Sequence, residues 1–195
     1  MVKRLIVGMS GASGAPLTVE LLRQLHDCHP EVETHLVVSR GAELTLRQEC
    51  DMGLNELKAL VAVCHDNSSI GASVASGSFR TMGMVVVPCS MKTVAGIVSG
   101  YSDNLLLRAA DVCLKERRKL VLVTREAPLS TVHLRNLYEA SQLGAVILPP
   151  MLTYYNGPQS LEDCTRHTVN RILSQFELDE GSYQWEGMGE CPNSR

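Results

Sequence analysis

The sequence predicts a single-domain α/β fold in which a parallel sheet lies between two layers of helices, a three-layer and doubly wound arrangement. Two observations lead to this prediction. Short, continuously apolar segments alternate along the chain with amphipathic segments long enough to form helices, and this alternation is typical of strand-helix-strand units with parallel strands. The length of 195 residues also lies within the size of one domain. We therefore expect one sheet and one domain.

Five apolar segments are predicted to form the strands of that sheet. They are rich in Val, Leu and Ile, and such continuously apolar runs suit strands that helices cover on both faces. The segments comprise residues 5–9, 35–38, 84–87, 120–123 and 145–148.

Amphipathic segments between and after the strands are predicted to form the helices. In the first of them, leucines recur at helical spacing and so lie on one face. The later helices comprise residues 42–49, a segment that begins after residue 90, and residues 104–117, 132–143 and 160–176. We expect residues 1–178 to form the folded domain. Residues 179–195, which are polar and include the single tryptophan Trp185, are expected to form an irregular tail.

The composition argues against several classes of protein. The formal net charge of -3 gives no basic excess for binding nucleic acid. The seven cysteines are scattered and never form Cys-x-x-Cys, so we expect reduced thiols rather than a disulfide framework or a zinc site. No apolar run approaches the roughly 20 residues that cross a bilayer. We expect a cytoplasmic protein that acts on a small molecule and binds neither nucleic acid nor a membrane.

The histidines predict no metal site. His26 and His29 are close in sequence near a helix end, but no third ligand lies nearby, and the remaining histidines form no cluster. The chain also lacks the Gly-x-Ser-x-Gly turn of serine hydrolases.

The loop after the first predicted strand, Gly11-Ala12-Ser13-Gly14, is a candidate binding loop. Its small residues would let backbone N–H groups at a helix start approach an anion or a flat ring closely. A tight turn in which Ser13 caps the helix is an equally good interpretation. The loop lacks the Gly-x-Gly-x-x-Gly spacing of dinucleotide-binding loops and the Gly-Lys-Ser/Thr of a P-loop, which disfavours NAD and ATP.

Hydroxyl residues follow the second and third predicted strands. Ser39 follows the second strand, and Ser90, Lys92 and Thr93 follow the third, just before a helix. Hydroxyls, a cation and the N–H groups of a helix start together favour an anion. As alternatives, the three hydroxyl residues are suitable helix caps, and Lys92 is explained equally well as a solvated side chain.

The fourth predicted strand is followed by a charged pair, Arg125 and Glu126. Charges directly after a strongly apolar strand are rarely needed for folding, so they favour a ligand at this position. The alternative is a surface ion pair, which is worth roughly 0 to 1 kcal/mol.

Four more polar residues are of interest, and two of them, Tyr155 and Arg171, are candidates for binding a phosphate. Arg108 and Lys115 share one side of a predicted helix, because they are close to two turns apart. Tyr155 follows the last predicted strand and Arg171 lies in the last helix, and a tyrosine and an arginine near one crevice suit a phosphate. The alternatives are packing for the tyrosine and solvent exposure for the cations.

Seven motifs, in this order along the chain, closely resemble those of the UbiX-like flavin prenyltransferases. They are Ser-Gly-Ala-Ser-Gly at 10–14, Pro-Cys-Ser-Met-Lys-Thr at 88–93, Arg-Ala-Ala-Asp-Val at 108–112, Leu-Lys-Glu-Arg-Arg at 114–118, Arg-Glu-Ala-Pro-Leu at 125–129, Gly-Ala-Val-Ile-Leu-Pro-Pro at 144–150 and Pro-Gln-Ser-Leu at 158–161. The resemblance covers residues 3–176. It implies a Rossmann-like flavoprotein fold in which residues 1–178 form an FMN-binding domain.

The resemblance also implies a reaction and an assembly. In this family, reduced FMN is alkylated at N5 and C6 by dimethylallyl monophosphate, and the prenylated FMN serves a UbiD-like aromatic acid decarboxylase. The family assembles as a homododecamer with its sites between subunits. The chain has no Asp-Asp-x-x-Asp motif that would hold magnesium for a diphosphate, which is consistent with a monophosphate substrate and a reaction that needs no metal.

The resemblance assigns roles to individual residues. The predicted FMN ligands are Gly11, Ala12, Ser13, Ser39, Ser90, Met91, Lys92, Thr93 and Arg125. The predicted ligands of the prenyl phosphate are Tyr155, Arg171, Arg108 and Lys115. Glu126 is predicted to relay a proton to the leaving phosphate and Glu49 to accept the proton lost from the flavin, with Ser13 as a third catalytic residue. As an alternative, Glu49 is simply part of an exposed helix end.

Two other functions remain as alternatives. The first is an FMN-dependent decarboxylase of the cysteine-decarboxylase type, which shares the fold and the flavin. The Pro-Ala-Ser-Ala-Asn-Thr and Pro-x-Met-Asn-x-x-Met-Trp motifs of that group are missing from this chain. The second is a flavin-binding subunit of a phenolic acid decarboxylase with no catalysis of its own.

Overall fold

A sheet of six parallel strands lies at the centre of residues 2–178, the part of the chain that the computed structural model describes. The strands are β1 (Lys3–Met9), β2 (Val32–Val38), β3 (Val63–Asp66), β4 (Gly83–Cys89), β5 (Lys119–Thr124) and β6 (Val146–Ile147). Their spatial order is β3-β2-β1-β4-β5-β6, and each neighbouring pair is parallel. The tail predicted at 179–195, with Trp185, lies outside the described residues.

This strand order confirms the predicted doubly wound sheet. The chain adds β2 and β3 on one side of β1, then returns to the centre and adds β4, β5 and β6 on the other side. Connections therefore leave β1 and β4 in opposite directions. In such sheets the crevice beyond the carboxyl ends of the two central strands is the usual position of a ligand.

The predicted helices are all present, although their ends differ by a few residues. They are α1 (Ala15–Cys28), α2 (Arg40–Cys50), α4 (Met91–Val98), α5 (Leu105–Lys115), α6 (Thr131–Gln142) and α7 (Leu161–Ser174). A short helix α3 (Leu54–Lys58) and a 3-10 turn at Ser73–Ala75 were not predicted. In five of these helices, a side-chain oxygen at the starting position accepts a backbone N–H group of the first turn, which fixes where the helix begins. Such caps are Ser39, Ser90, Asn104, Ser130 and Ser160.

Two hydrophobic clusters, one on each face of the sheet, account for the three layers. Side chains along a strand point to alternate faces, so Leu5 and Val7 of β1 pack in the first cluster and Ile6 packs in the second. Helices α1, α2, α3 and α7 contribute to the first cluster, while α4, α5 and α6 contribute to the second. Because both faces are covered, the strands need continuously apolar sequences, as predicted.

The five predicted strands were an incomplete set, because β3 was not among them. Strand β3 lies at the edge of the sheet, and Val63 and Asp66 at its two ends are exposed. An edge strand does not need apolar side chains on both faces, so its sequence lacks the pattern that identified the others. At the opposite edge, the segment predicted at 145–148 contains only the two-residue strand β6.

Replacing a leucine inside the first cluster is expected to destabilise the fold far more than replacing one on a helix surface. Leu21 of α1 is fully buried, whereas Leu44 of α2 is 66% exposed. Leu21→Ala is expected to lower the free energy of unfolding by about 2–5 kcal/mol, and Leu44→Ala by no more than about 0.5 kcal/mol. Urea denaturation measures both values, and equal losses would contradict the packing described here.

Candidate functional site

Loops from four strands meet at the carboxyl edge of the sheet. The N–H of Ser39, after β2, donates to the carbonyl of Met9 at 3.0 Å, and the N–H of Arg125, after β5, donates to the carbonyl of Cys89 at 3.2 Å. The loops after β1 and β2 approach so closely that a Cβ on Gly11 would lie 3.0 Å from the carbonyl carbon of Gly41. The structure thus brings the predicted loops 11–14, 39, 90–93 and 125–126 to one edge.

A polar cavity of about 450 Å³ opens between these loops. Its lining residues are Ser10, Gly11, Ser39, Arg40, Gly41, Asn67, Ser90, Lys92, Thr93, Asn104, Leu106 and Leu107. Three helices, α2, α4 and α5, begin at this cavity with Ser39, Ser90 and Asn104 as their caps. Helix N-termini carry partial positive charge and N–H groups without intrahelical partners. Together with Arg40 and Lys92, they make the cavity suitable for an anion such as a phosphate.

Ser39 and Ser90 of this polar cavity cap helices, which is the structural alternative to binding a ligand. Ser39 Oγ accepts the N–H of Ala42 at 3.2 Å, and Ser90 Oγ accepts the N–H of Thr93 at 3.4 Å and lies 3.1 Å from the hydroxyl of Thr93. Their role as helix caps is therefore confirmed. Because a hydroxyl can donate and accept at once, capping leaves Ser39, Ser90 and Thr93 able to donate to an anion, and their role as FMN ligands stays a prediction.

Glu49, at the end of α2, caps the start of α1. One of its carboxylate oxygens, Oε2, accepts the N–H groups of Gly14 and Ala15, both at 2.8 Å. The cap position of α1 itself is Gly14, whose φ of 123 degrees favours glycine. The alternative in which Ser13 caps this helix is therefore wrong. The alternative that Glu49 is simply part of an exposed helix end is also incomplete, because the carboxylate joins two loops of the site.

Hydrogen bonds hold the pKa of Glu49 below its ordinary value of 4.5. Partial burial acts to raise this pKa, but hydrogen bonds from the Ser13 side chain and from the two backbone N–H groups outweigh it, and the charge of Arg125 acts in the same direction. Glu49 is thus a carboxylate at neutral pH. Ser13, Glu49 and Arg125, from three separate stretches of the chain, form one cluster.

An apolar cavity of about 350 Å³ lies on the other side of the 11–14 loop. It is enclosed by the start of α1, the segment after β6 and the first turns of α7. Its lining residues are Ser13, Gly14, Pro16, Leu17, Glu49, Pro150, Met151, Leu152, Leu161, Cys164, Thr165 and Thr168. Aliphatic walls of this kind suit a short hydrocarbon chain, and Ser13 and Glu49 place polar groups at one side.

Arg125 and Glu126 are exposed at the carboxyl edge. Glu126 Oε1 accepts the N–H of Ala127 at 3.1 Å. The alternative of an ion pair between Arg125 and Glu126 is not observed among the ion pairs of residues 2–178. The roles of Arg125 and Glu126 in binding a ligand stay predictions.

Tyr155 lies beside the apolar cavity, and Arg171 lies farther along α7. The Tyr155 hydroxyl is 3.2 Å from Nε2 of His167, a residue of the helix that forms one wall of that cavity. Arg171 follows His167 by one helical turn, on the same side of α7, and is exposed. It lines neither the polar nor the apolar cavity.

Arg108 and Lys115 lie at opposite ends of α5. Arg108 follows Leu107, which lines the polar cavity, and its guanidinium pairs with Asp111 at 2.7 Å. Lys115 ends the helix and pairs with Glu116 at 2.5 Å. Because α5 runs antiparallel to the strands, Lys115 lies at the amino edge of the sheet, away from the candidate site of its own chain. Arg108 and Lys115 share a side of α5, as predicted. Within a single chain, however, they do not belong to the same site.

Comparison with known proteins identifies the family of this chain. The family model described as Flavoprotein matches residues 2–173. The flavin prenyltransferase UbiX of Escherichia coli (strain K12) is 53% identical over 188 residues, which cover 95% of this chain and 99% of that protein. The chain belongs to the UbiX-like flavin prenyltransferases.

Two solved UbiX-like structures have the same fold as this chain. A dodecameric FMN-dependent UbiX-like decarboxylase from Escherichia coli O157:H7 gives a TM-score of 0.91 at 50% identity, over 95% of this chain and 100% of that chain. AnUbiX in complex with FMN and dimethylallyl pyrophosphate gives a TM-score of 0.93 at 47% identity, over 97% and 100%. The family that the seven motifs indicated is therefore confirmed.

Several residues of the polar cavity in this UbiX-like chain were not predicted from the sequence. They are Ser10, Arg40, Gly41, Asn67, Asn104, Leu106 and Leu107. Asn67 directly follows β3, so missing that strand also hid this residue. Its carbonyl and its side-chain Oδ1 accept the N–H groups of Leu105 and Leu106 at 2.8 and 3.0 Å. The available signal was the apolar run at 60–64 followed by His-Asp-Asn-Ser, the same pattern of an apolar segment and a polar turn that marked the other strands.

Two further properties concern the part of the chain at 2–178. Its His, Cys, Asp and Glu side chains contain no group of three or more that could hold a metal ion. None of its helices combines the length and the apolar character that a membrane span requires.

Removing the charge of Glu49 in this UbiX-like chain is expected to weaken the start of α1. Glu49→Gln is expected to lower the free energy of unfolding at neutral pH by about 0.5–1 kcal/mol, because a neutral amide is a weaker cap at a helix N-terminus and the site is partly exposed. A carboxyl whose pKa is depressed on folding stabilises above its unfolded pKa, and this contribution is lost as the pH falls through the folded pKa. The difference from the wild type should therefore disappear as the pH falls below 4.5.

Urea denaturation across this pH range measures the effect of Glu49→Gln. Glu31→Gln is a matched control, because Glu31 pairs only on the surface, 3.7 Å from Lys3 and 3.8 Å from His29, and such pairs contribute little. A Glu49→Gln loss that is independent of pH, or no larger than that of the control, would contradict the capping role.

Proposed function

We propose that this chain transfers the dimethylallyl group of dimethylallyl monophosphate to reduced FMN and releases phosphate. The allylic C–O bond breaks as a bond forms to N5, which loses its proton. A second bond then forms between C6 and the far carbon of the prenyl C=C bond, C6 loses its proton and the other alkene carbon gains one, and the product is prenylated FMN. The observation that carries the proposal is the pair of cavities on either side of the 11–14 loop. The polar cavity suits the phosphate of FMN, and the apolar cavity suits a five-carbon chain.

The polar cavity would hold the FMN phosphate with backbone and side-chain donors together. The starts of α2, α4 and α5 direct partial positive charge toward it. Arg40 and Lys92 add full charges at its rim. A phosphate bound here would fix one end of FMN. The flavin ring would then extend toward the cluster of Ser13, Glu49 and Arg125.

Glu49 is the group best placed to accept the proton that N5 loses on alkylation. It is ionised at neutral pH, and both of its backbone hydrogen bonds use Oε2, so Oε1 takes part in neither of them. General bases act through such a direct contact with the proton that is transferred. Ser13, which donates to the same carboxylate, would keep it oriented.

The prenyl phosphate would be held by cations, which can stabilise a leaving phosphate without a metal. Within one chain, Tyr155 and Glu126 lie at the carboxyl edge, whereas Lys115 lies at the amino edge and Arg171 lines neither cavity. We therefore propose that a second copy of the chain completes this half of the site, with Arg108, Lys115 and Arg171 as the candidates that it could supply.

Exposed apolar side chains support such an assembly. On α6, Val132, Leu134 and Tyr138 are more than half exposed, as are Met151 and Leu152 beside the apolar cavity. Exposed apolar surface of this extent is typical of an interaction site. A relative that shares 50% of its residues with this chain is dodecameric, and we propose the same homododecamer here.

The product would leave the enzyme for a partner. We propose that a UbiD-like aromatic acid decarboxylase receives the prenylated FMN, on the basis of the family to which the chain belongs. A cytoplasmic location also remains our prediction, and it agrees with the free thiols of all six cysteines in the described part of the chain.

A decarboxylase is the second candidate function, because the dodecameric relative is described as an FMN-dependent UbiX-like decarboxylase. The two activities differ in what the purified chain does alone. A prenyltransferase consumes prenyl phosphate and leaves aromatic acids unchanged, whereas a decarboxylase with bound FMN releases carbon dioxide from them. A flavin-binding subunit without catalysis would do neither.

Mass spectrometry of an anaerobic reaction tests the proposed transfer. With reduced FMN and dimethylallyl monophosphate, the flavin is expected to gain the mass of one isoprene unit, and free phosphate is expected to appear in equal amount. Dimethylallyl pyrophosphate, which the relative AnUbiX binds, is the matched alternative substrate and is expected to react more slowly. Absence of any adduct, together with decarboxylation of an aromatic acid, would reverse the proposal.

Comparing FMN with riboflavin tests the polar cavity as a phosphate site. FMN is expected to bind about 100-fold more tightly than riboflavin, because charge-assisted hydrogen bonds contribute about 1.5–3 kcal/mol each. Lys92→Ala is expected to lower FMN affinity about tenfold and to leave riboflavin affinity unchanged. Lys3→Ala is the control, since Lys3 lies at the amino end of β1. Equal binding of the two flavins would place the phosphate elsewhere.

A further inference from the structure

We infer that Ser10 is a positioning residue that sets the distance between two loops of the proposed flavin site, the loop at 11–14 after β1 and the turn at 90–93 after β4. The inference rests on the proposed function, because it concerns the same FMN site. Ser10 was not among the predicted site residues. It directly precedes Gly11 and, at 2% exposure, is almost completely buried.

Ser10 makes three hydrogen bonds to the end of β4. Its N–H and its hydroxyl both donate to the carbonyl of Pro88, at 3.1 and 2.9 Å. Its Oγ also accepts the N–H of Ser90 at 2.8 Å. The side chain therefore uses its donor and an acceptor position at the same time. An alanine at this position would keep only the backbone bond.

The bond to Ser90 continues into the start of α4. Ser90 Oγ accepts the N–H of Thr93 and lies 3.1 Å from the Thr93 hydroxyl. A chain of hydrogen bonds thus runs from the end of β1 through Ser10 and Ser90 to Thr93, whose side chain lines the polar cavity. The hydroxyls of Ser90 and Thr93 are predicted FMN ligands. Ser10 orients them through the Ser90 backbone while its own hydroxyl is occupied by protein groups.

The point at which the pairing of β1 with β4 ends explains what the Ser10 side chain contributes. Regular pairing between β1 and β4 ends at Gly8 and Val86, and the register of β4 against β5 is irregular between Val86 and Cys89. Beyond this point no ladder between β1 and β4 fixes the separation of the two strand ends. Ser10 bridges them where the ladder stops. Without its oxygen, the part-buried N–H of Ser90 would lose its acceptor, and the turn would have to move to reach another.

Thr18 provides a matched comparison. This residue of α1 is also fully buried, and its hydroxyl donates to the carbonyl of Val87 at 2.5 Å. It has the same kind of bond to the same strand end, but it makes no bond to Ser90 or Thr93 among the described residues. Removing it therefore tests the structural value of a buried hydroxyl without the proposed effect on the flavin loops.

The experiment measures FMN affinity and thermal stability for Ser10→Ala, Ser10→Cys and Thr18→Val. Ser10→Ala is expected to weaken FMN binding about tenfold, which raises the KM for reduced FMN while kcat at saturating FMN stays within about threefold. Thr18→Val is expected to lower Tm and to leave FMN affinity within about twofold of the wild type. Fluorescence quenching on binding of FMN reports the affinity, and prenyl transfer at varied FMN gives the kinetic constants.

Ser10→Cys keeps the shape of the side chain and replaces the hydroxyl with a thiol that is only a weak hydrogen-bonding group. If Ser10→Ala does not fold, this variant decides the question, and a loss of FMN affinity beyond that of Thr18→Val supports the inference. Wild-type FMN affinity in Ser10→Ala or Ser10→Cys overturns it, as does an equal loss in Thr18→Val. A wild-type chain that binds no FMN would instead overturn the proposed function.

Discussion

The parallel pairing of β1 with β4 is the constraint on which the rest of the structure depends. Their register runs from Leu5 opposite Gly83 to Gly8 opposite Val86, and the connections leave the two strands in opposite directions. No helix can then cover their carboxyl ends, which leaves a crevice. Both cavities open from loops attached to this edge. A shift of this register would move these loops relative to each other and would turn buried side chains to the opposite face of the sheet.

The two halves of the candidate site are built in different ways. The polar cavity uses the starts of three helices and needs only one chain, because backbone N–H groups and partial charges belong to the fold itself. The cations predicted for the prenyl phosphate are long side chains on surfaces, and Lys115 and Arg171 line neither cavity of their own chain. Flavin binding would then depend on folding, whereas catalysis would depend on assembly.

Continuous apolar runs made most of the sheet predictable, since the strands that are covered on both faces can tolerate little else. Edge strand β3 has no such requirement, so it was missed together with Asn67. Three of the seven motifs, at 10–14, 88–93 and 125–129, lie where strands end, as predicted, because their position relative to an apolar run is a local property. The contact of Glu49 with Gly14 and Ala15 joins residues about 35 positions apart, and the position of Lys115 follows from the direction of α5. Neither can be derived from local sequence.

The two outermost strands are also the shortest in the sheet, with four residues in β3 and two in β6. Long, exposed edges allow chains to join by adding strand to strand, which leads to open-ended aggregates. In this sheet, the edge strands β3 and β6 offer only a few unpaired backbone groups for such pairing. A protein that exposes apolar residues on α6 and beside its apolar cavity can thus associate through side chains, in closed complexes of defined size, while its sheet remains separate from those of its neighbours.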